Sequence, residues 1–333
     1  MKNIEALIFT DLHLNDINKD ICLSFINRLI QYVKEKNIPH IVFMGDMVDC
    51  RKGPSEISLS AIQNIFRKFS DANLEYKLEY FPGNHDKFIE DGESSYLELF
   101  VHYCPHLHRD IECFETEGKY DYVFFPYFEG EHFEKAIGRL DYTQFDKPVI
   151  LFAHYMYEQI PQEIKKKFRK IFLGHNHDRS DFPNGMYIGS CFPQNFSEDN
   201  NKGFTILYND LTTELIPFTS QEYITQKIDI NAFEEEQIKE YIQKFKNENP
   251  DKLLKVEFVG YNKDISNLKN FCKKLNIYYT SNIDNNVINQ KEEVLNISQF
   301  SSNQIKEQFE NFCQENNISE DIKNKILSIL IKS

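Results

Sequence analysis

Phe81-Pro82-Gly83-Asn84-His85-Asp86 closes a short apolar run that also contains Leu78 and Tyr80. Pro82 and Gly83 end a strand there and leave three polar side chains in a loop. Asn84 offers a carbonyl oxygen, His85 a ring nitrogen, and Asp86 a carboxylate that can orient the imidazole. Standing alone, such a loop is an ordinary turn. It gains meaning because an apolar run ending in acid or imidazole recurs along the chain.

Upstream, Glu5 to Thr10 reads as a buried strand and ends in Asp11-Leu12-His13. An Asp and a His two apart at a strand end point the same way and reach one ion. Ile21, Phe25, Leu29, Ile30 and Val33 mark an amphipathic helix over 20–36. Ile41 to Met44 is a second strand and runs into Gly45-Asp46-Met47-Val48-Asp49. Strand, helix, strand makes a βαβ unit, so the sheet begins parallel or mixed. A helix over 55–70 leads to the strand before Gly83. Asp11/His13, Asp46/Asp49 and Asn84/His85 therefore reach one sheet edge, beyond the carboxyl ends of strands, where open α/β sheets hold ligands.

Downstream, 97–128 reads as a helix and then short strands, including 122–125. His102, His106 and His108 gather there around Pro105, and are expected as packing or surface residues rather than ligands. A strand over 148–153 ends in His154, and one over 170–173 ends in Gly174-His175-Asn176-His177.

The collected set is Asp11, His13, Asp46, Asn84, His154, His175 and His177. Nitrogen and oxygen donors without thiolate suit Mn²⁺, Fe²⁺ or Zn²⁺. Seven ligands are too many for one ion, and one bridging carboxylate, Asp46 in the middle of the set, divides them between two. Two ions roughly 3.5–4 Å apart clamp the attacking and leaving oxygens of an in-line displacement at phosphorus. His85 is surplus to the ligand count and is free to stabilise the transition state or protonate the leaving oxygen. Asp49 and Asp86 join it in the catalytic set as residues that orient the others.

Asp-x-His, Gly-Asp-x-x-Asp, Gly-Asn-His-Asp, a strand-end His and Gly-His-x-His, in that order over about the first 200 residues, resemble the calcineurin-type metallophosphoesterase superfamily. The resemblance implies an α/β fold, a two-sheet sandwich flanked by helices. It implies that Asp11, His13, Asp46 and His177 hold one metal, that Asp46, Asn84, His154 and His175 hold the other, and that His85 is the catalytic histidine. The stretch from Tyr187-Ile188-Gly189-Ser190 through Phe196-Ser197-Glu198 to Lys202-Gly203-Phe204 resembles SbcD-type nuclease subunits of double-strand-break repair. It reads physically as a strand, a polar turn beside the metals, and a returning strand over 204–207. The loop Asp49-Cys50-Arg51-Lys52 is similar to the small subunit of phage recombination endonucleases, which makes Arg51 and Lys52 candidate contacts to DNA phosphates. Asn15 departs from relatives, which often carry Gly there; it touches no expected ligand.

These readings divide the chain into a nuclease domain (1–220), a smaller α/β capping domain that guides DNA (221–290), and a C-terminal helical segment (291–333) that docks an SbcC-like, SMC-type ATPase. Within the second domain, 223–230 and 253–260 read as strands, 231–247 and 267–275 as helices, 277–280 as a strand, and 282–289 as a linker. The implied activity is a two-metal DNA nuclease, exonuclease on duplex ends and endonuclease on single strands, in a homodimer. Mn²⁺ is the expected metal, with Mg²⁺, Fe²⁺ or Zn²⁺ as alternatives. The rival readings are a small-molecule phosphodiesterase of the same superfamily and a DNA-end scaffold for the ATPase.

Composition bounds these expectations. With 333 residues, 41% of them hydrophobic, the chain can build one mid-sized core and a smaller one. No apolar run approaches the ~20 residues of a membrane span. The start of the chain lacks a signal-peptide layout, and the seven cysteines are scattered. Both fit reduced thiols in a bacterial cytoplasm, or in a host's if the gene is a phage's. A net charge of −14 repels nucleic acid, so DNA binding needs local basic patches, bound metals or a partner.

Overall fold

The central strands of the first two hundred residues carry apolar side chains on both faces, because they lie between a helical layer and a second sheet. The computed structural model describes residues 2–49, 53–72, 77–88, 94–140, 146–219, 222–261 and 263–284. One sheet has five strands: β1 (Ile4–Phe9), β2 (His40–Phe43) and β3 (Lys77–Tyr80) run parallel. They are linked by helices α1 (Lys19–Lys36) and α2 (Glu56–Asp71). The Ser55 hydroxyl caps α2 by accepting from the Ser58 N–H at 3.0 Å.

The second sheet has six strands in the order β4 (Glu112–Phe114), β5 (Asp121–Phe125), β6 (Val149–Ala153), β7 (Lys170–Leu173), β9 (Gly185–Tyr187), β8 (Ser180–Phe182). Its four middle strands are parallel. Helix α3 (Gly130–Arg139) lies between β5 and β6 in the chain, and the single turn α4 (Gln162–Lys165) before β7. The chain then adds β10 (Gly203–Tyr208) antiparallel to β1, and β11 (Thr213–Pro217) antiparallel to β10, on the first sheet.

Period-2 alternation distributes the core. Leu7, Phe9, Ile41 and Phe43 pack with Phe25, Leu29, Ile62 and Phe66 of α1 and α2. Their neighbours Ala6, Ile8, Val42 and Met44 face Tyr122, Phe124, Ile150, Phe152 and Phe172 of the second sheet. Val123, Phe125, Leu151 and Leu173 face outward again, against Ala136 of α3 and Ile164. The result is the mixed α/β architecture expected, two sheets flanked by helices.

Several expectations need correction. The strand, polar turn and returning strand expected over 187–207 join two sheets: β9 belongs to the six-stranded sheet and β10 to the five-stranded one. Ile188 sits in the layer between the sheets, while Cys191 and Phe192 join the core under α1 and α2, so the segment crosses from one layer to the next. The helix expected near residue 97 is one 3₁₀ stretch, Tyr96–Phe100. Helix α3 escaped notice because its stripe is short (Phe133, Ala136, Ile137) and glycines open and interrupt it. His108 is a packing residue, as expected, and it packs between two carboxylates. Its Nε2 lies 2.8 Å from the buried Glu79 carboxylate and its Nδ1 2.9 Å from Glu112. Burial disfavours its cation, yet the two carboxylates hold its pKa above the usual value.

The chain divides into two compact units, Met1–Gln226 with Phe245–Lys255, and Lys227–Lys244 with Val256–Ser333. Past β11 come β12 (Tyr223–Asp229), α5 (Glu235–Glu248), β13 (Leu253–Tyr261), α6 (Ser266–Lys274) and β14 (Tyr278–Asp284), with the strands paired in the order β12-β13-β14. β13 alternates, burying Leu254, Val256 and Phe258. β14 runs through 282–284, where a linker was expected. Arg51, Lys52 and the segment 291–333 lie outside the described residues. Among the described residues no helix is long and apolar enough to cross a membrane. Cys22, Cys104, Cys113, Cys191 and Cys272 are free thiols.

Candidate metal centre

The strand ends do not aim their side chains by pleat alone, as the sequence reading supposed. Asp11, His13, Asp46 and His175 all sit past their strands at positive φ, 53°, 45°, 57° and 77°. L-residues adopt that conformation at a cost, so it persists only where the surroundings enforce it. Here the loops after β1 and β2 are zipped together. Asp11 N–H donates to Gly45 O at 3.0 Å, His13 N–H to Asp46 O at 3.0 Å, and Leu14 N–H to Met47 O at 2.8 Å. His175 N–H donates to the Asp11 carboxylate at 3.1 Å, tying the second sheet to the first.

The turns bring the seven collected residues together in two groups. Asp11, His13 and His177 each present one ligand atom within 4.8 Å of the others, and so do Asp46, His154 and His175. In the first group His13 Nε2 is 3.5 Å from Asp11 Oδ1 and 3.0 Å from His177 Nε2. In the second, His154 Nε2 is 3.2 Å from Asp46 Oδ2, and His175 Nδ1 is 2.9 Å from Asn84 Oδ1. Asp46 Oδ2 also lies 3.4 Å from His13 Nε2, which puts this carboxylate between the groups. Gly83 permits that position, since a Cβ there would stand 2.1 Å from Asp46 Oδ1.

Ring orientation is set from outside. His154 Nδ1 meets Met44 O at 2.7 Å, His85 Nδ1 meets Asp49 O at 2.9 Å, and His177 Nδ1 meets the Glu198 carboxylate at 2.9 Å. An oxygen acceptor puts the hydrogen on Nδ1 and leaves a lone pair on Nε2. Asp49 thus holds His85 by its main chain, and its carboxylate lies 3.7 Å from His13 Nδ1. Asp86, expected to orient His85, does something else. Its carboxylate accepts from the N–H groups of Asp46 (2.8 Å), Met47 (2.8 Å), Val48 (3.2 Å) and Gly83 (3.0 Å). It therefore shapes the turn that presents Asp46.

Asp11 Oδ1 and His154 Nε2, 3.9 Å apart, are buried without a hydrogen-bond partner. Buried polar atoms are rarely left so, and converging acceptors of this kind fit cations. The charge balance agrees. Burial opposes charging His13, but the neighbouring Asp11, Asp49 and Asp46 carboxylates raise its pKa to about 10. His154 rises to about 9 against its burial, driven by Asp46 and Asp11. Burial and the adjacent His154 lower His175 to about 4. Burial and the Asp46 charge raise Asp86 to about 7. The acidic centre thus draws positive charge, and protons on His13 and His154 stand where divalent ions fit.

Glu198, Gln194 and Lys202 received no role from the sequence. Gln194 Nε2 donates to Asp11 O at 2.9 Å, and Lys202 Nζ lies 3.4 Å from Glu198 Oε2. The Phe196-Ser197-Glu198 segment was the available signal, but nothing in its spacing shows that it reaches His177.

Residues 5–199 match the family described as calcineurin-like phosphoesterase, and the chain belongs to that family. Members of that family are metal-dependent phosphoester hydrolases and typically bind two divalent metals, and this chain carries candidate His and Asp ligand groups. It is 25% identical over 205 residues to an uncharacterized metallophosphoesterase of Helicobacter pylori strain J99, a match covering 56% of this chain and 48% of that protein. The chain thus spans about half the length of that curated relative. A solved dimetal phosphatase from Danio rerio matches at 11% identity with a TM-score of 0.43, over 61% of this chain and 91% of that one.

Proposed function

We propose that the chain is a two-metal DNA nuclease, hydrolysing phosphodiesters as the SbcD-type subunit of a repair or recombination complex. The observation that carries the two-metal part is the pair of ligand groups on either side of Asp46. Asp11, His13, Asp46 and His177 would hold one ion, and Asp46, Asn84, His154 and His175 the other. When bound, the ions supply Lewis-acid charge and lower the pKa of water. His85 stands beside Asn84 with Nδ1 on the Asp49 carbonyl, so Nε2 faces the reaction and, in the imidazolium form, would give its proton to the leaving oxygen and end as the neutral Nδ1–H ring. Asp86 and Asp49 hold the Asp46 turn, His13 and His85 in place. Mn²⁺ is the metal we favour.

DNA as substrate is supported by the likeness of 187–204 to SbcD-type subunits and by the small α/β module after β11, read as a DNA-guiding cap. Arg51 and Lys52 are proposed phosphate contacts, 291–333 the docking piece for an SbcC-like ATPase, and the working form a homodimer. The net charge of −14 favours the second reading, a small-molecule phosphodiesterase. The test is hydrolysis of end-labelled duplex and single-stranded DNA, beside bis-p-nitrophenyl phosphate, with Mn²⁺ and with Mg²⁺. Cleavage of DNA and the generic diester with Mn²⁺ is expected. Cleavage of the diester alone, with DNA intact even after addition of the ATPase and ATP, would overturn the nuclease reading.

A further inference from the structure

We infer that Glu198, braced by Lys202, is a positioning residue that commits His177 to one tautomer and one direction at the first ligand group. The inference rests on the two-metal reading of that site. Four imidazoles of the centre take an oxygen on Nδ1; that of His175 is Asn84 Oδ1, itself a proposed ligand, and two more are main-chain carbonyls, Met44 O for His154 and Asp49 O for His85. No side-chain substitution removes those. His177 instead relies on a carboxylate, Glu198 Oε1 at 2.9 Å, while its Nε2 turns to His13 and Asp11.

The carboxylate is built in. The Glu198 side chain is 5% exposed. It accepts from Ser190 Oγ (3.2 Å), Gln194 N–H (3.2 Å) and Asn195 Nδ2 (2.7 Å), and pairs with Lys202 Nζ at 3.4 Å. These donors keep its oxygens off the centre, so it serves as an acceptor for His177 rather than as a ligand itself. The Lys202 side chain is fully buried, and Nζ also donates to His177 O and to Asp178 Oδ1 at 2.9 Å. The pair therefore grips His177 at both ring and backbone. A carboxylate behind a ligating imidazole fixes its tautomer and raises its basicity, and removing such a partner weakens metal binding roughly 10- to 100-fold. The layer-crossing path of residues 188–202 is what puts Glu198 behind a histidine 21 positions earlier.

The experiment uses the full chain, unsubstituted and as Glu198→Ala and Glu198→Gln. Zn²⁺ and Mn²⁺ binding is followed by calorimetry, and the His177 tautomer by ¹⁵N-edited NMR of the Zn²⁺-loaded protein. The unsubstituted chain is expected to take two ions, with His177 carrying hydrogen on Nδ1. In Glu198→Ala one ion is expected to bind roughly 10- to 100-fold more weakly, the other to hold, and the single His177 tautomer to be lost. Glu198→Gln keeps an acceptor oxygen and is expected to restore the tautomer and most of the affinity. Two undiminished ions and an unchanged tautomer in Glu198→Ala would overturn the inference. If that variant does not fold, Glu198→Leu takes its place, and two undiminished ions with an unchanged tautomer there would do the same. An unsubstituted chain that binds no pair of ions would sink the two-metal reading, and this inference with it.

Discussion

The two sheets meet at one site but bring different chemistry to it. The loops after β1, β2 and β3 supply every oxygen ligand proposed, Asp11, Asp46 and Asn84, together with His13 and His85. The loops after β6 and β7 supply imidazoles alone, His154, His175 and His177. The first half braces itself, through main-chain bonds between the β1 and β2 loops and the four N–H groups gathered on Asp86. The second half is placed by contacts with the first, His154 by Met44 O and His175 by Asn84 and Asp11. The acidic half thus sets the frame that both ions share, and the imidazole half completes each position.

The widest break of that comparison is Asp46→Ala. It is expected to abolish binding of both ions and to reduce hydrolysis to background in a folded chain; one ion retained at normal affinity would deny the shared role. Gly83→Ala comes next, because its Cβ would meet Asp46 Oδ1 at 2.1 Å and Asp46 N at 2.6 Å. Metal titration is expected to show both ions weakened, although no ligand has been changed. His85→Ala is expected to keep both ions and lower kcat roughly 10²- to 10⁴-fold, and lost metal would instead make His85 a ligand. His154→Ala, from the imidazole half, is expected to remove one ion and spare the other, so loss of both would erase the distinction between the halves.

The smallest effect is in pH. His13 and His154 have pKa values raised to about 10 and 9 in the folded, metal-free chain. Their charged forms stabilise it fully below the unfolded value near 6.5, and that contribution is lost as pH rises through 9 and 10. Metal must displace these protons, so binding at pH 7.5 is expected to release protons and to tighten as pH rises. Calorimetry in buffers of different ionisation enthalpy reads the release directly, and no net release would show that the two rings are already neutral.

How much of this was legible in the sequence follows from the range of each interaction. The strand ends at 9–11, 43–46, 80–84, 153–154 and 173–175 were readable because Gly, Pro and polar residues stop apolar runs locally. Asp86 was misread, since its partners Asp46, Met47 and Val48 lie 38 to 40 positions upstream. Which sheet the strand after 188–202 joins was not legible for the same reason. A strand followed by a polar turn looks alike whether the next strand joins the same sheet or another.

The sequence by itself determined the fold class, the strand ends and the donor types offered there, because hydrophobic periodicity and chain-breaking residues act over a few positions. Only the tertiary structure decided which histidine faces which carboxylate, that Asp46 lies between the two groups, that Asp86 shapes its turn, and that Glu198 stands behind His177. Those facts depend on side chains brought within hydrogen-bond distance by two sheets packing face to face, and no local pattern encodes such an encounter.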